Sequence, residues 1–296
     1  MRRSKSYGLP YQGSKNRLAE WVVSVLPANE TLVDLFAGGC AVTHCALVSG
    51  KFKRVIANDI TDAPEVFADA LNGDIDISGF PLTREEFEAS TDTLARLVYS
   101  FSNNNRTYLY GKDEEDMWLA AERMMFGATL AERYAAYREF IKAVSKYLQC
   151  VDKTCSEPQV VERVNRLKQL QAVPRVTRLQ AIRDTCPAAD LETSRCDYRD
   201  FEVPADSTVY ADPPYRGTDI RSYGVDFDYD AFEDWLAEVD FPVFVSEYTC
   251  PKGCVEIAER DSRPLSAQSK HNRVVEYLFV QERFYDSVMA GGHGEE

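Results

Sequence analysis

The stretch Thr31-Leu32-Val33-Asp34-Leu35-Phe36-Ala37-Gly38-Gly39 decides the fold. Its first six residues read as a short apolar strand, and the glycine pair ends it. Ala41 to Val48 then reads as a helix stopped by Gly50. Arg54 to Ile60 follows as a second buried strand, Val55-Ile56-Ala57, ending at Asn58-Asp59. Strand, helix, strand at this spacing opens a parallel sheet with helices on its faces. Upstream, Ser14 to Leu26 places Leu18, Trp21, Val22, Val25 and Leu26 on one side of a helix, with Ser14 as its N-cap.

Past residue 61 the pattern turns helical, with amphipathic stretches at Glu114–Phe126, Leu130–Leu148 and Val160–Gln171. Strand-like segments return at Thr208–Ala211, Val243–Glu247 and Val274–Val280. The expected organisation is an α/β domain made of residues 1–61 and 187–290, split by a helical insertion over 62–186, with a flexible tail at 291–296. An insertion of that size far exceeds ordinary connections and usually carries function.

Composition bounds the function. With 45% hydrophobic residues the chain can bury a sizeable core, and no apolar run approaches the roughly 20 residues that cross a bilayer. The expectation is a protein of the cytoplasm, with no membrane association and no obligate protein partner evident. Eight cysteines without a Cys-x-x-Cys pair, and three histidines without paired spacing, favour reduced thiols over a zinc site. No metal is expected. The net charge of −14 speaks against a nucleic-acid partner, but its distribution weakens the objection. Residues 190–240 hold fifteen acids against four arginines, whereas Arg2, Arg3, Lys5, Lys15 and Arg17 meet no acid before residue 18. Residues 151–186 and 260–273 are also basic on balance. A polarised molecule can present one basic face despite an acidic total.

Ligands of open α/β sheets bind at the carboxyl ends of strands. Asp34 through Gly39 sits at such an end, and the glycines there allow the backbone to approach a bound nucleoside. An acid in place of a pyrophosphate-binding glycine favours an uncharged or cationic ligand. Asp59, at the end of the next strand, stands where a carboxylate takes ribose hydroxyls. Each feature alone reads first as a tight turn or a helix cap. Asp212-Pro213-Pro214-Tyr215 directly follows the apolar strand Val209-Tyr210-Ala211. Two prolines remove two backbone donors, so carbonyls and a carboxylate form a rigid set of acceptors beside an aromatic ring. That set suits a planar base bearing an exocyclic amine, with Tyr215 stacking on it; by itself it also reads as a Pro-Pro turn capped by aspartate.

Taken in order, Pro10-Tyr11-Gln12-Gly13-Ser14-Lys15, Asp34 to Gly39, Asn58-Asp59 and Asp212 to Tyr215 resemble the Dam-like adenine-specific DNA methyltransferases over nearly the whole chain. Val245-Ser246-Glu247-Tyr248 and Phe227-Asp228-Tyr229 look most like the phage and prophage members. The resemblance implies a Rossmann-like S-adenosylmethionine-dependent methyltransferase sheet whose helical insertion recognises the target in double-stranded DNA. It implies Tyr11 and Lys15 against the methionine part of S-adenosylmethionine, and Asp34, Phe36 and Gly38 in the first strand-end motif. It places Asp59 on the ribose, with Asp197 and Tyr198 flanking the cofactor adenine and Asp200 a competitor for Asp197. Asp212, Pro213, Pro214 and Tyr215 become the catalytic loop, with Asp212 also beside the cofactor.

Competing readings are weaker. Gly8 to Lys15 has the outline of a P-loop, but Ser14 precedes Lys15 where the lysine must come first. A dehydrogenase lacks both its glycine fingerprint and a histidine for proton transfer. Methylation of RNA or of a protein amide, and a catalytically silent cofactor- or DNA-binding prophage protein, stay open as alternatives. Arg175 and Arg178 read as solvated helix faces rather than DNA contacts, and Asn103-Asn104-Asn105-Arg106 is a candidate base-reading loop.

Overall fold

The computed structural model describes residues 6–154, 172–183, 185, 190–216, 227–262 and 274–291. Its backbone divides into two compact units, Met1–Asn72 with Asp184–Glu296, and Gly73–Arg183.

The first unit is built on seven strands: β1 Thr31–Asp34, β2 Arg54–Asn58, β3 Asp190–Ser194, β4 Ser207–Ala211, β5 Val243–Glu247, β6 Cys254–Ser262 and β7 Val274–Gln281. They lie in the order β3-β2-β1-β4-β5-β7-β6. The first five run parallel, while β7 is antiparallel to both β5 and β6. The sheet is therefore mixed, not wholly parallel as the opening strand-helix-strand pattern suggested, because the consecutive strands β6 and β7 pair directly with each other. Alternation along the strands feeds two cores. Leu32, Val55, Tyr210, Phe244 and Leu278 pack with Val22 and Ala46 on one face. Val33, Ile56, Val209, Val243 and Val245 pack with Phe232 and Leu236 on the other. Burial on both faces is what parallel sheets with covering helices require.

Two strands escaped the sequence pattern, and both lie at the sheet's edges. β3 is Asp-Leu-Glu-Thr-Ser and mostly exposed, and β6 carries four charged residues. Edge strands are held by backbone pairing on one side and need no apolar period. The covering helices are α1 Ala19–Val25, α2 Ala41–Ser49 and α3 Ala63–Asn72. Ser14 precedes only a 3-10 turn, Lys15–Arg17, and its hydroxyl makes no cap, which corrects its expected role.

The second unit contains α4 Arg84–Ala89, α5 Thr93–Tyr99, α6 Glu115–Phe126, α7 Leu130–Thr154 and α8 Ala172–Ile182. Its ends meet at Gly73, whose positive φ and missing Cβ admit the Arg183 side chain. Thr83 and Glu86 form a capping box that starts α4, and Asp92 caps α5. The carboxyl end of α5 is capped by Arg175, whose Nη1 donates to the carbonyls of Val98 and Ser100 at 2.7 Å. Arg175 is thus neither a solvated face nor a DNA contact. The expected helix over 160–171, the basic Arg2, Arg3, Lys5, Arg263, Lys270 and Arg273, and residues 292–296 of the tail lie outside the described residues. The first unit closes with α9 Tyr229–Glu238 and α10 Tyr285–Gly291. No helix among the described residues is long and apolar enough to cross a membrane.

Candidate active site

The strand order reverses between β1 and β4, and a crevice opens beyond their carboxyl ends, where open α/β sheets take ligands. A cavity there is lined by Tyr11, Gln12, Lys15, Asp34, Phe36, Gly38, Asp59, Asp212 and Pro214, together with Ser14, Ile60, Tyr210 and Phe227. Residues far apart in the chain converge because parallel register puts Asp34 beside Tyr210, with Asp59 and Asp212 just past their own strands.

The amino-terminal segment forms one wall. Leu9 N–H donates to the Gly39 carbonyl at 2.7 Å, and Gly8 N–H to His44 Nδ1 at 2.9 Å. That bond makes Nδ1 the acceptor and leaves Nε2–H to face the Thr185 hydroxyl, 2.6 Å away. A Cβ on Gly39 would stand 2.4 Å from Tyr11 Cβ. The glycines after β1 therefore make room for Tyr11, and both also line the cavity.

Asp34 is buried, and burial pushes its carboxyl up to about 7. Its Oδ2 accepts from the Thr43 amide at 3.1 Å and the Thr43 hydroxyl at 2.7 Å, in the first turn of α2. Its Oδ1 is buried without a hydrogen-bond partner, as are Gln12 Oε1 and Ser14 Oγ on the same lining. Asp59 bridges two functions of the fold. Oδ2 accepts from the Gly38 amide at 2.9 Å, and Oδ1 from the amide and hydroxyl of Thr61 at 2.9 and 2.7 Å. Phe36 packs against Tyr198 with the rings tilted by 36° and their centroids 5.2 Å apart. Tyr198 and Asp197 do not line the cavity, and Asp197 is held in a two-point pair with Arg199 at 2.8 Å, which lowers its pKa.

Asp212 follows β4 and accepts from Lys15 Nζ at 2.7 Å. Burial raises its carboxyl to about 6 against the opposing pull of Lys15. Burial also works against the Lys15 charge, but Asp212 and Glu276 outweigh it and raise the Lys15 pKa. Pro213 is buried, and no described residue donates to its carbonyl. Tyr215 is only 8% exposed. Its hydroxyl donates to Glu276, Lys15 Nζ sits 4.2 Å over its ring, and Tyr248 meets it edge-on at 4.5 Å. An open stacking platform is thus not what Tyr215 offers here. The loop is pinned at its far end as well: Tyr229 Oη donates to the Tyr215 carbonyl at 2.8 Å, and the Arg216 amide donates to Glu247 Oε1 at 2.7 Å.

Sequence reasoning missed Thr43, Ile60, Tyr210 and Glu276, and gave no role to Phe227, Tyr229 or Glu247. Glu276 had left a signal, an acid inside the apolar run Val274–Val280. Thr43 and Ile60 left none, because many helices and loops carry such residues. The described cysteines are free thiols, and no group of three metal-ligating side chains forms among the described residues.

Three carboxylates around one crevice, one with an unpartnered buried oxygen, call for a ligand that brings donors and positive charge. The model of a protein family, the D12 class N6 adenine-specific DNA methyltransferases, matches residues 11–285. No curated protein matches the chain. Among solved structures, the rRNA methyltransferase aviRa from Streptomyces viridochromogenes is similar over 93% of this chain and 87% of its own, at 14% identity and a TM-score of 0.33.

Proposed function

Because the chain belongs to the D12 class N6 adenine-specific DNA methyltransferase family, we propose that its crevice binds S-adenosylmethionine and presents a flipped adenine to it. The activity is that of the family: an enzyme that methylates the N6 amino group of adenine in DNA. S-adenosylmethionine supplies the methyl group on a sulfonium, and its methionine end carries an ammonium. The buried Oδ1 of Asp34 fits that ammonium, and it is the observation that carries this assignment. Asp59 takes the ribose hydroxyls, with Phe36 and Ile60 forming the apolar wall toward the adenine ring. Tyr11 and Gly38 close the wall of the amino-terminal segment, and Lys15 holds Asp212 from it. Tyr198 acts behind that wall through Phe36, and Asp197 beside it is held by Arg199.

For the target, Asp212 and the Pro213 carbonyl accept the two N–H groups of the amine. An aromatic amine is a poor nucleophile because its lone pair is delocalised into the ring. Two acceptors on its protons favour a pyramidal nitrogen with the lone pair free, so positioning supplies much of the rate. Asp212, raised only to about 6, is ionised near pH 7.5 and is an acceptor without being a strong base. Once the nitrogen is methylated its proton is acidic and leaves to the Asp212 carboxylate or to solvent. Extruding the base costs a few kcal/mol of unstacking, offset by these hydrogen bonds. Pro214 on the cavity lining and the half-exposed Tyr248 supply apolar surface beside the loop.

The unit Gly73–Arg183 is assigned to target recognition in duplex DNA. The loop Phe101–Thr107, closed by the bridge between Ser100 and Tyr108, supports this assignment. Asn104 Oδ1 accepts from the amides of Arg106 and Thr107 at 3.0 and 2.9 Å and so shapes the loop, while Arg106 stays exposed. Methylation-sensitive sequencing of DNA from cells expressing the protein tests activity and target together, alongside assays on RNA and protein. Methyl groups found only on RNA or on protein amides, or none at all, would sink this reading.

A further inference from the structure

β7 places one carboxylate inside the sheet: Glu276 is 1% exposed and does not line the cavity. A buried carboxylate costs several kcal/mol unless it is paired and hydrogen-bonded. Its partners both belong to the catalytic crevice. The Tyr215 hydroxyl donates to Oε1, and Lys15 Nζ stands 3.4 Å from that same oxygen while donating to Asp212 at 2.7 Å.

We propose that Glu276 is a positioning residue for methyl transfer, fixing the Lys15 ammonium and the Tyr215 hydroxyl and through them the Asp212 carboxylate. A lysine ammonium is a compact charge on a flexible stem and has little directional preference of its own. Held between two carboxylates and over the Tyr215 ring, it has one place to stand. The Tyr215 hydroxyl ties the far end of the loop to β7, so the two prolines are clamped between a strand end and a strand interior. Of the two carboxylates that hold the ammonium, Asp212 is the one on the cavity lining, and Glu276 braces the pair from inside the sheet. The other groups around this cluster are Tyr210 on β4, Tyr248 after β5, and Asp34 and Asp59 at the ends of β1 and β2.

This inference rests on the reading of Asp212 as the acceptor for the target amine, and the experiment separates the two. Single-turnover methylation of duplex DNA by the full chain, at saturating S-adenosylmethionine, is measured from pH 5 to 9 for Glu276→Gln, Glu276→Leu, Tyr215→Phe and Asp212→Ala. Glu276→Leu is expected to lose about 30-fold or more in rate with cofactor affinity kept within about threefold. Glu276→Gln keeps an acceptor for Tyr215 and loses about threefold. It also moves the acid limb to lower pH, because the repulsion on Asp212 is gone. Tyr215→Phe combined with Glu276→Leu is expected to cost little more than Glu276→Leu alone. A folded Glu276→Gln with the wild-type rate and acid limb would overturn the inference, whether or not Glu276→Leu folds. An active Asp212→Ala would instead overturn the reading beneath it.

Discussion

Both units of the molecule bury a carboxylate whose pKa is pushed up to about 7, and they treat it in opposite ways. In the helical unit Glu122, 0% exposed on α6, accepts from the Tyr99 hydroxyl at 2.7 Å and from the Tyr110 hydroxyl. Each oxygen has a donor supplied by the fold. In the sheet unit Asp34 accepts on one oxygen only, and the other is buried without a partner. Burial is the main cause of the upward shift in both. The two acids therefore differ in the oxygen that the fold leaves unsatisfied, not in the displaced pKa, and that oxygen is the ground for proposing Asp34 as the ligand-binding one.

The largest effect separating the two units belongs to Asp212. Asp212→Ala removes the carboxylate that pairs with Lys15 and that is proposed to accept from the target amine, and methylation of duplex DNA is expected to fall by about a thousandfold or more. Lys15 retains Glu276, so the variant is expected to melt near the wild-type temperature. Single-turnover rates with thermal melting check both halves. Asp212→Asn, which keeps an acceptor oxygen without charge, should lie between the two.

Glu122→Leu is the matching experiment in the helical unit. It strips two buried tyrosine hydroxyls of their acceptor, and a stability loss of about 3 kcal/mol is expected with the methylation rate per folded molecule unchanged. Chemical denaturation combined with activity corrected for folded fraction measures it. A large rate loss in fully folded protein would break the contrast. The sign of the pH dependence follows from the raised pKa. The folded state holds the Glu122 proton up to about pH 7, whereas the unfolded chain releases it near 4.5, so this stabilisation is lost as pH rises through 7. Glu122→Gln carries no such proton, and its deficit relative to wild type is expected to shrink between pH 5 and 8.

The two units were also unequally legible in the sequence. β1, β2, β4, β5 and β7 are buried on both faces and show it as apolar runs, so their places were readable to within two residues. β3 and β6 were not, since an edge strand gains its stability from backbone bonds that no side chain advertises. The carboxylates at strand ends were readable because the topology rule fixes where ligands bind. Their partners were not: Thr43, Tyr229, Glu247 and Glu276 come to the site through pairing register and helix docking, which a linear pattern does not carry. In the helical unit only the period was visible. That Arg175 caps α5 depends on a contact between residues more than seventy positions apart.

Asp34→Asn yields a smaller effect than either of these. The amide oxygen still accepts from Thr43, but a neutral group attracts an ammonium less, and cofactor affinity is expected to fall about tenfold at pH 8. Wild-type affinity should rise as pH climbs toward 7, because the cation favours the ionised form of a group that is mostly protonated below that point. The variant should show no such rise. Titration calorimetry in buffers of different ionisation enthalpy reads the proton released by the wild type near pH 6.5 and its absence in the variant. The ligand-free stability gap between the two proteins should narrow as pH rises, since wild type loses the contribution of a folded-state proton between about 4 and 7.

The smallest effect tests what the helical unit does once its carboxylate is accounted for. Glu122 and Arg175 are satisfied within the unit, whereas Asn103 Oδ1 and Asn105 Oδ1 are buried without a partner in the loop that carries the exposed Arg106. If Arg106 contacts a phosphate, Arg106→Ala weakens binding to every duplex by about threefold to tenfold and reduces the salt slope by about one. If it reads a base, the loss is confined to the recognised sequence, about 1–3 kcal/mol, and discrimination at one position relaxes. Binding isotherms on matched and unmatched duplexes across a salt series separate the two. Unchanged binding to both would remove Arg106 from the DNA interface proposed for this unit.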